Sequence, residues 1–133
     1  MKILTILVFS GDRFNVKDLL NDIAKLDISK IKVAVVEWSE NKDILFKKKR
    51  IYRSFRKKIK DFKVYFQRGN WEYKYSRFIH KFNSKYILVI GDDDRINTKN
   101  FNKIFKHLNS DFSGITISFT NFKETKDLSV KNN

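Results

Sequence analysis

Lys85-Tyr86-Ile87-Leu88-Val89-Ile90-Gly91-Asp92-Asp93-Asp94-Arg95-Ile96 is an apolar run that stops at a glycine and three carboxylates. Tyr86 to Ile90 are aromatic, β-branched or aliphatic without polar interruption, the pattern of a strand buried on both faces of a parallel sheet. The acids follow its carboxyl end, the rim where open α/β sheets bind ligands. Side chains alternate along an extended backbone, so Asp92 and Asp94 are expected to point one way and Asp93 another. Two convergent carboxylates form a hard-oxygen site suited to Mg²⁺ or Mn²⁺. An acidic turn leading into a helix is the competing interpretation, since aspartate and asparagine are ordinary turn and cap residues. Gly91, which lets backbone or ligand approach closely, favours the site.

Outward from that stretch, the rest of the chain alternates strand with helix. Lys2 to Phe9 reads as a buried strand closed by Ser10-Gly11-Asp12-Arg13. Asn15 is placed to cap a helix whose apolar residues Val16, Leu19, Leu20, Ile23 and Leu26 recur at helical spacing. Ile31 to Val36 is a second strand ending in Glu37-Trp38-Ser39-Glu40. A helix from about Lys42 to Ile59 follows, with Ile44, Leu45, Ile51, Tyr52, Phe55 and Ile59 on one face and a basic run opposite. Phe62 to Gln67 alternates as a third strand, and Trp71 to Phe82 reads as an aromatic-rich helix. After the acidic tip, Asn97 or Thr98 caps a helix with Phe101, Ile104, Phe105 and Leu108 inward, and Gly114 to Phe119 resembles a fifth strand. Strict alternation of this kind argues for an α/β fold, a mostly parallel Rossmann-like sheet flanked by helices.

Composition bounds the chemistry. At 133 residues, 41% hydrophobic and 15% aromatic, the chain is one domain able to bury a core. Without cysteine it has no disulfide, thiol nucleophile or Cys-based zinc site. His80 and His107 each lack a second ligand at metal spacing. No stretch is long enough to span a bilayer, and the short apolar opening lacks a cleavage site, so a cytoplasmic location is expected. The net charge is +14, but 17 residues from Lys47 to Lys63 hold ten bases and one acid, leaving +5 for the remainder. That local excess suits an anionic membrane surface, nucleic acid or a phosphorylated substrate, or is simply a solvated helix face.

Taken together, these residues resemble the nucleotide-binding half of a GT-A glycosyltransferase, close to the large family 2 group, from about Ile3 to Leu108. Four places carry the resemblance. At the first turn, Val8-Phe9-Ser10-Gly11-Asp12-Arg13 keeps the hydroxyl and the base of the family's Pro-Thr-Tyr-Asn-Arg-like segment. After the second strand, Glu37 and Ser39 stand where the family has Asp followed by a small or polar residue, a carboxylate that reads the nucleobase. Asn70 and Arg77 keep an Asn-to-Arg interval of seven, with Glu72 in place of the usual glycine. Tyr86 to Asp94 is similar to the strand and DxD motif.

The resemblance implies a GT-A nucleotide-diphospho-sugar-binding domain over 1–121, truncated relative to the family, followed by a polar tail at 122–133. It implies Mn²⁺ or Mg²⁺ held by Asp92 and Asp94, a cation that would neutralise charge developing on a departing diphosphate. It places Ser10, Arg13, Glu37, Ser39, Arg77, Asp92 and Asp93 around a nucleotide-diphosphate sugar donor. The activity implied is transfer of that sugar, with inversion, to a glycan, lipid or protein acceptor. Family 2 enzymes continue well past this length with the acceptor site and general base, so no residue here is assigned that role and the chain is expected to be a fragment or a degenerate donor-binding module. Peripheral contact with an anionic membrane through Lys47 to Lys63 is a further expectation, and nucleic acid is not the expected partner.

Two other classes share some of these features. Glu37 and Asp92-Asp93-Asp94-Arg95 loosely resemble the Glu and Asp-x-Asp-Arg motifs of Toprim-like nucleic-acid enzymes, although Trp38 stands where their glycine belongs. A basic RNA-binding domain would work through Lys47 to Lys63 and show salt-dependent retention on nucleic acid. A haloacid-dehalogenase assignment fails because its acidic triplet tips the first core strand.

Overall fold

A computed structural model describes residues 2–68, Phe78 and residues 80–105. Four strands, β1 (Leu4–Ser10), β2 (Ile31–Glu37), β3 (Phe62–Phe66) and β4 (Tyr86–Gly91), form one parallel sheet in the order β3-β2-β1-β4. Three α-helices are described: α1 (Val16–Ala24), α2 (Lys42–Phe55) and α3 (Thr98–Phe105), with a short 3₁₀ turn at Ile28–Lys30. The pairing is in continuous register, Leu4 to Ser10 against Ile31 to Glu37 and Leu4 to Phe9 against Tyr86 to Gly91. All strands therefore end on the same rim.

Alternation along the strands divides the core in two. Ile6, Val8, Val33 and Val35 face α1, α2 and α3 through Leu19, Leu20, Ile23, Tyr52, Phe55, Phe101 and Phe105. On the opposite face Leu7, Ala34 and Val36 meet Phe78, with Phe82, Tyr65, Ile87 and Val89 packed around them. The first and second connections thus lie on one side of the sheet. Phe78 and Phe82, from the third connection, lie on the other. The strand order reverses at β1, so the carboxyl ends of β1 and β4 form the switch point at which open α/β sheets bind ligands.

β1 and β2 are the strands buried on both faces, whereas Tyr86 to Val89 of β4 are only half-buried. The reason is position: β1 lies between β2 and β4, and β4 is outermost among the described strands. Asn15 precedes α1 but makes no side-chain cap; its own backbone is already helical at φ −56° and ψ −27°, so its carboxamide cannot reach forward. Asn41 does cap α2, accepting from the Asp43 and Ile44 N–H groups at 3.0 and 3.1 Å. Asn97 caps α3 through the Asn100 N–H at 3.2 Å. The helix expected to reach Ile59 ends at Phe55, although Ile59 stays buried. The expected helix over Trp71 to Phe82 and strand over Gly114 to Phe119 fall largely or wholly outside the described residues. No described helix is long and apolar enough to cross a membrane.

Candidate functional site

The site is built where β1 and β4 end side by side. The sheet pairing extends one residue past β4, with the Asp92 N–H donating to Phe9 O at 3.1 Å, and this brings Asp92 beside Ser10. Asp92 is completely buried, yet both its oxygens are satisfied. Its Oδ1 accepts from Arg13 Nε at 2.7 Å and lies 2.5 Å from Arg13 Nη2. Its Oδ2 accepts from Ser10 Oγ at 2.8 Å and the Gly11 N–H at 3.4 Å. Two guanidinium nitrogens converge on this one charged oxygen, a charge-assisted contact, and Asp92 accordingly raises the pKa of Arg13. The Arg13 side chain nevertheless stays 50% exposed, leaving one edge of a cation facing the rim.

Beneath this pair lies a residue assigned from sequence to the solvated basic face. Lys48 is fully buried. Its ammonium donates to Ser10 Oγ at 2.6 Å and Gly11 O at 2.5 Å and lies 2.6 Å from Glu37 Oε1, so three acceptors meet its three N–H bonds. Burial lowers its pKa, opposed by the hydrogen bond and charge of Glu37. The signal was present in the sequence: Lys48, Tyr52, Phe55 and Ile59 fall at i, i+4, i+7 and i+11, one helical stripe. A long aliphatic stem lets lysine take such a position when its tip finds acceptors.

Glu37 is equally enclosed. Oε1 also accepts from the Tyr52 hydroxyl, and Oε2 accepts from the Ser39 N–H at 2.9 Å and Ser39 Oγ at 2.7 Å. Burial, then Glu37, raises the Tyr52 pKa. A continuous relay therefore runs from the buried Tyr52, Glu37, Lys48, Ser10 and Asp92 out to the half-exposed Arg13, with two acids against two bases. Glu37 and Ser39, expected beside a nucleobase, hydrogen-bond each other beneath the β1 turn.

The remaining acids of the triplet behave differently from Asp92. Asp94 Oδ2 accepts from the Gly91 N–H at 3.1 Å, closing a tight turn. Asp93 is exposed, with Oδ1 3.6 Å from Arg13 Nη2. A side chain at Gly91 would press on both, its Cβ 3.1 Å from Asp93 Oδ1 and 3.3 Å from Asp94 Oδ2. The convergent Asp92 and Asp94 pair expected for a divalent ion is thus engaged within the protein. Among the described residues no three carboxylate or imidazole groups gather where a metal could sit. As arranged, these residues do not fit a divalent ion.

Two further contacts fix the rim. Arg95 makes a two-pronged contact with the buried Asp22 of α1, Nε to Oδ2 at 2.7 Å and Nη2 to Oδ1 at 3.0 Å, while the Ile96 N–H donates to Asp22 Oδ2 at 3.0 Å. Trp38 lies against the β1 turn; a Cβ at Gly11 would fall 2.7 Å from the indole Cη2 and Cζ2, so only glycine fits without displacing the ring. Asn70 and Arg77 lie outside the described residues.

No protein-family model matches this chain and no curated protein does. Solved structures do. S. aureus TarS 1-349, a GT-A glycosyltransferase, is similar with a TM-score of 0.66 and 21% identity, over 82% of this chain and 32% of that one. The same protein in complex with UDP is similar at a TM-score of 0.61, and in complex with UDP-GlcNAc at 0.58, each at 21% identity over 82% of this chain. The chain spans about a third of the length of these structures. At this identity the likeness is one of fold: a GT-A-type parallel α/β arrangement.

Proposed function

We propose that this chain is the donor-binding part of a glycosyltransferase that uses a nucleotide-diphosphate sugar. The observation carrying the proposal is the meeting of Ser10, Arg13 and Asp92 at the sheet rim where the strand order reverses, in a fold similar to structures described with UDP and UDP-GlcNAc. Arg13 presents a half-exposed cation there, suited to a diphosphate. Asp92 and Ser10 hold that guanidinium in place, and Asp93 borders it. Glu37 and Ser39 support the turn from below. Chemically, a glycosyl donor needs its diphosphate bound and its departing charge offset, and a fixed guanidinium supplies both. The acceptor is a glycan, a lipid or a protein, and the basic outer face of α2 brings the chain to an anionic membrane surface where lipid-linked acceptors reside.

Calorimetric titration of UDP into the whole chain tests the reading. A saturable heat is expected, weakened about tenfold by Asp92→Asn, which frees the guanidinium from its anchor. Absence of saturable heat with UDP and with other nucleoside diphosphates would sink it.

A further inference from the structure

The three carboxylates at the end of β4 lead one to expect a metal ion between donor diphosphate and protein. The geometry points to a different occupant: we propose that Arg13 is the resident counter-cation of Asp92, and that this chain takes a nucleoside diphosphate through that guanidinium and without a divalent ion. This rests on the donor-binding reading above and specifies how the same strand-end site recognises its ligand.

Four observations carry it. Asp92 has no free acceptor direction towards the rim, because Arg13 Nε and Nη2 cover Oδ1 at 2.7 and 2.5 Å and Ser10 and Gly11 cover Oδ2. Asp94, the second carboxylate a metal would need, is folded back onto the Gly91 N–H at 3.1 Å. Asp93 Oδ1 lies 3.6 Å from Arg13 Nη2, so the neighbouring acid also faces the guanidinium. Ser10 is committed as well: its hydroxyl donates to Asp92 and accepts from Lys48, so it holds Asp92 from the buried side. A divalent ion and Arg13 would compete for one buried oxygen. The guanidinium is covalently tethered there at an effective concentration no free ion matches. Its exposed edge still carries N–H groups that phosphate oxygens can accept from.

Two measurements on the full chain test this. In the first, Mn²⁺ alone is titrated into protein and free Mn²⁺ is followed by electron paramagnetic resonance. The unsubstituted chain is expected to leave Mn²⁺ free, while Arg13→Gln, which vacates Asp92 Oδ1 and releases the neighbouring Asp93 as a second carboxylate, takes up one equivalent and Arg13→Gln with Asp92→Asn loses it again. Mn²⁺ uptake by the unsubstituted chain comparable to that of Arg13→Gln overturns the proposal, as does failure of a folded Arg13→Gln to bind Mn²⁺. In the second, which needs no variant, UDP affinity is compared in EDTA and in excess Mn²⁺. Values within about twofold support the proposal and a gain of about tenfold or more with Mn²⁺ overturns it. Failure of UDP to bind under both conditions counts against the donor-binding reading alone, because the Mn²⁺ titration still decides what occupies Asp92.

Discussion

Replacing Lys48 with methionine keeps the volume of its stem but leaves the buried Glu37 carboxylate without its counter-charge. Breaking one side of a buried pair costs about 3 kcal/mol, so Lys48→Met is expected to lower the urea midpoint strongly. Adding Glu37→Gln should recover part of that loss, and an additive double variant would argue against coupling. Tyr52 gives the pH dependence. Its pKa is raised above the ordinary 10.0 by burial and by Glu37, so the unfolded chain ionises first as pH rises. The stability Tyr52 contributes is full below pH 10.0 and is lost above it. Tyr52→Phe, about 1 kcal/mol less stable at pH 7 for the lost hydrogen bond, should flatten the alkaline decline measured by denaturant midpoints. At this scale the sequence was half legible. Asp92 stood out as an acid at a strand end, and Ser10 and Arg13 through the resemblance of the first turn to a known family, whereas Lys48 was hidden by its surroundings, one base in a basic run whose acceptors, Ser10, Gly11 and Glu37, belong to other elements.

Between elements, the Arg95 to Asp22 contact ties the segment after β4 to α1. Asp22 is buried and Arg95 half-exposed, so solvent screens one side of the pair and Arg95→Ala is expected to cost about 1–2 kcal/mol. Hydrogen exchange should then quicken at Ile96, whose N–H donates to Asp22, while Val33 to Val36 in the sheet keep their protection; uniform acceleration would mean that the pair serves global stability instead. The elements themselves were readable because their periods differ. Continuous apolar runs gave strands buried in a parallel sheet, and the stripe from Val16 to Ile23 gave a helix with one face inward. Burial of β4 was overread for a physical reason: an uninterrupted apolar segment carries no mark of whether it lies inside a sheet or beside its last partner.

For the molecule as a whole, the +14 charge is concentrated on α2 and the segment that follows it. Phe46, 64% exposed, stands there with the Arg50 guanidinium 5.5 Å from its ring, and Lys49 lies 5.2 Å from the exposed ring of Phe66. Cations beside exposed aromatics suit the boundary between lipid headgroups and acyl chains. The chain is expected to sediment with vesicles containing phosphatidylglycerol at low salt, to be released near ~0.5 M salt as charges are screened, and to bind less tightly as Phe46→Ser. Equal retention on zwitterionic vesicles would rule out an electrostatic attachment.

The indole seated on Gly11 has a practical corollary. Tryptophan occurs only at positions 38 and 71, so Trp71→Phe leaves a single tryptophan, excited selectively near the red edge of the absorption band, resting against the turn that carries Ser10 and Arg13. Any molecule that settles in that notch changes the polarity around the ring, and its arrival becomes visible as a shift in emission wavelength from an unlabelled chain.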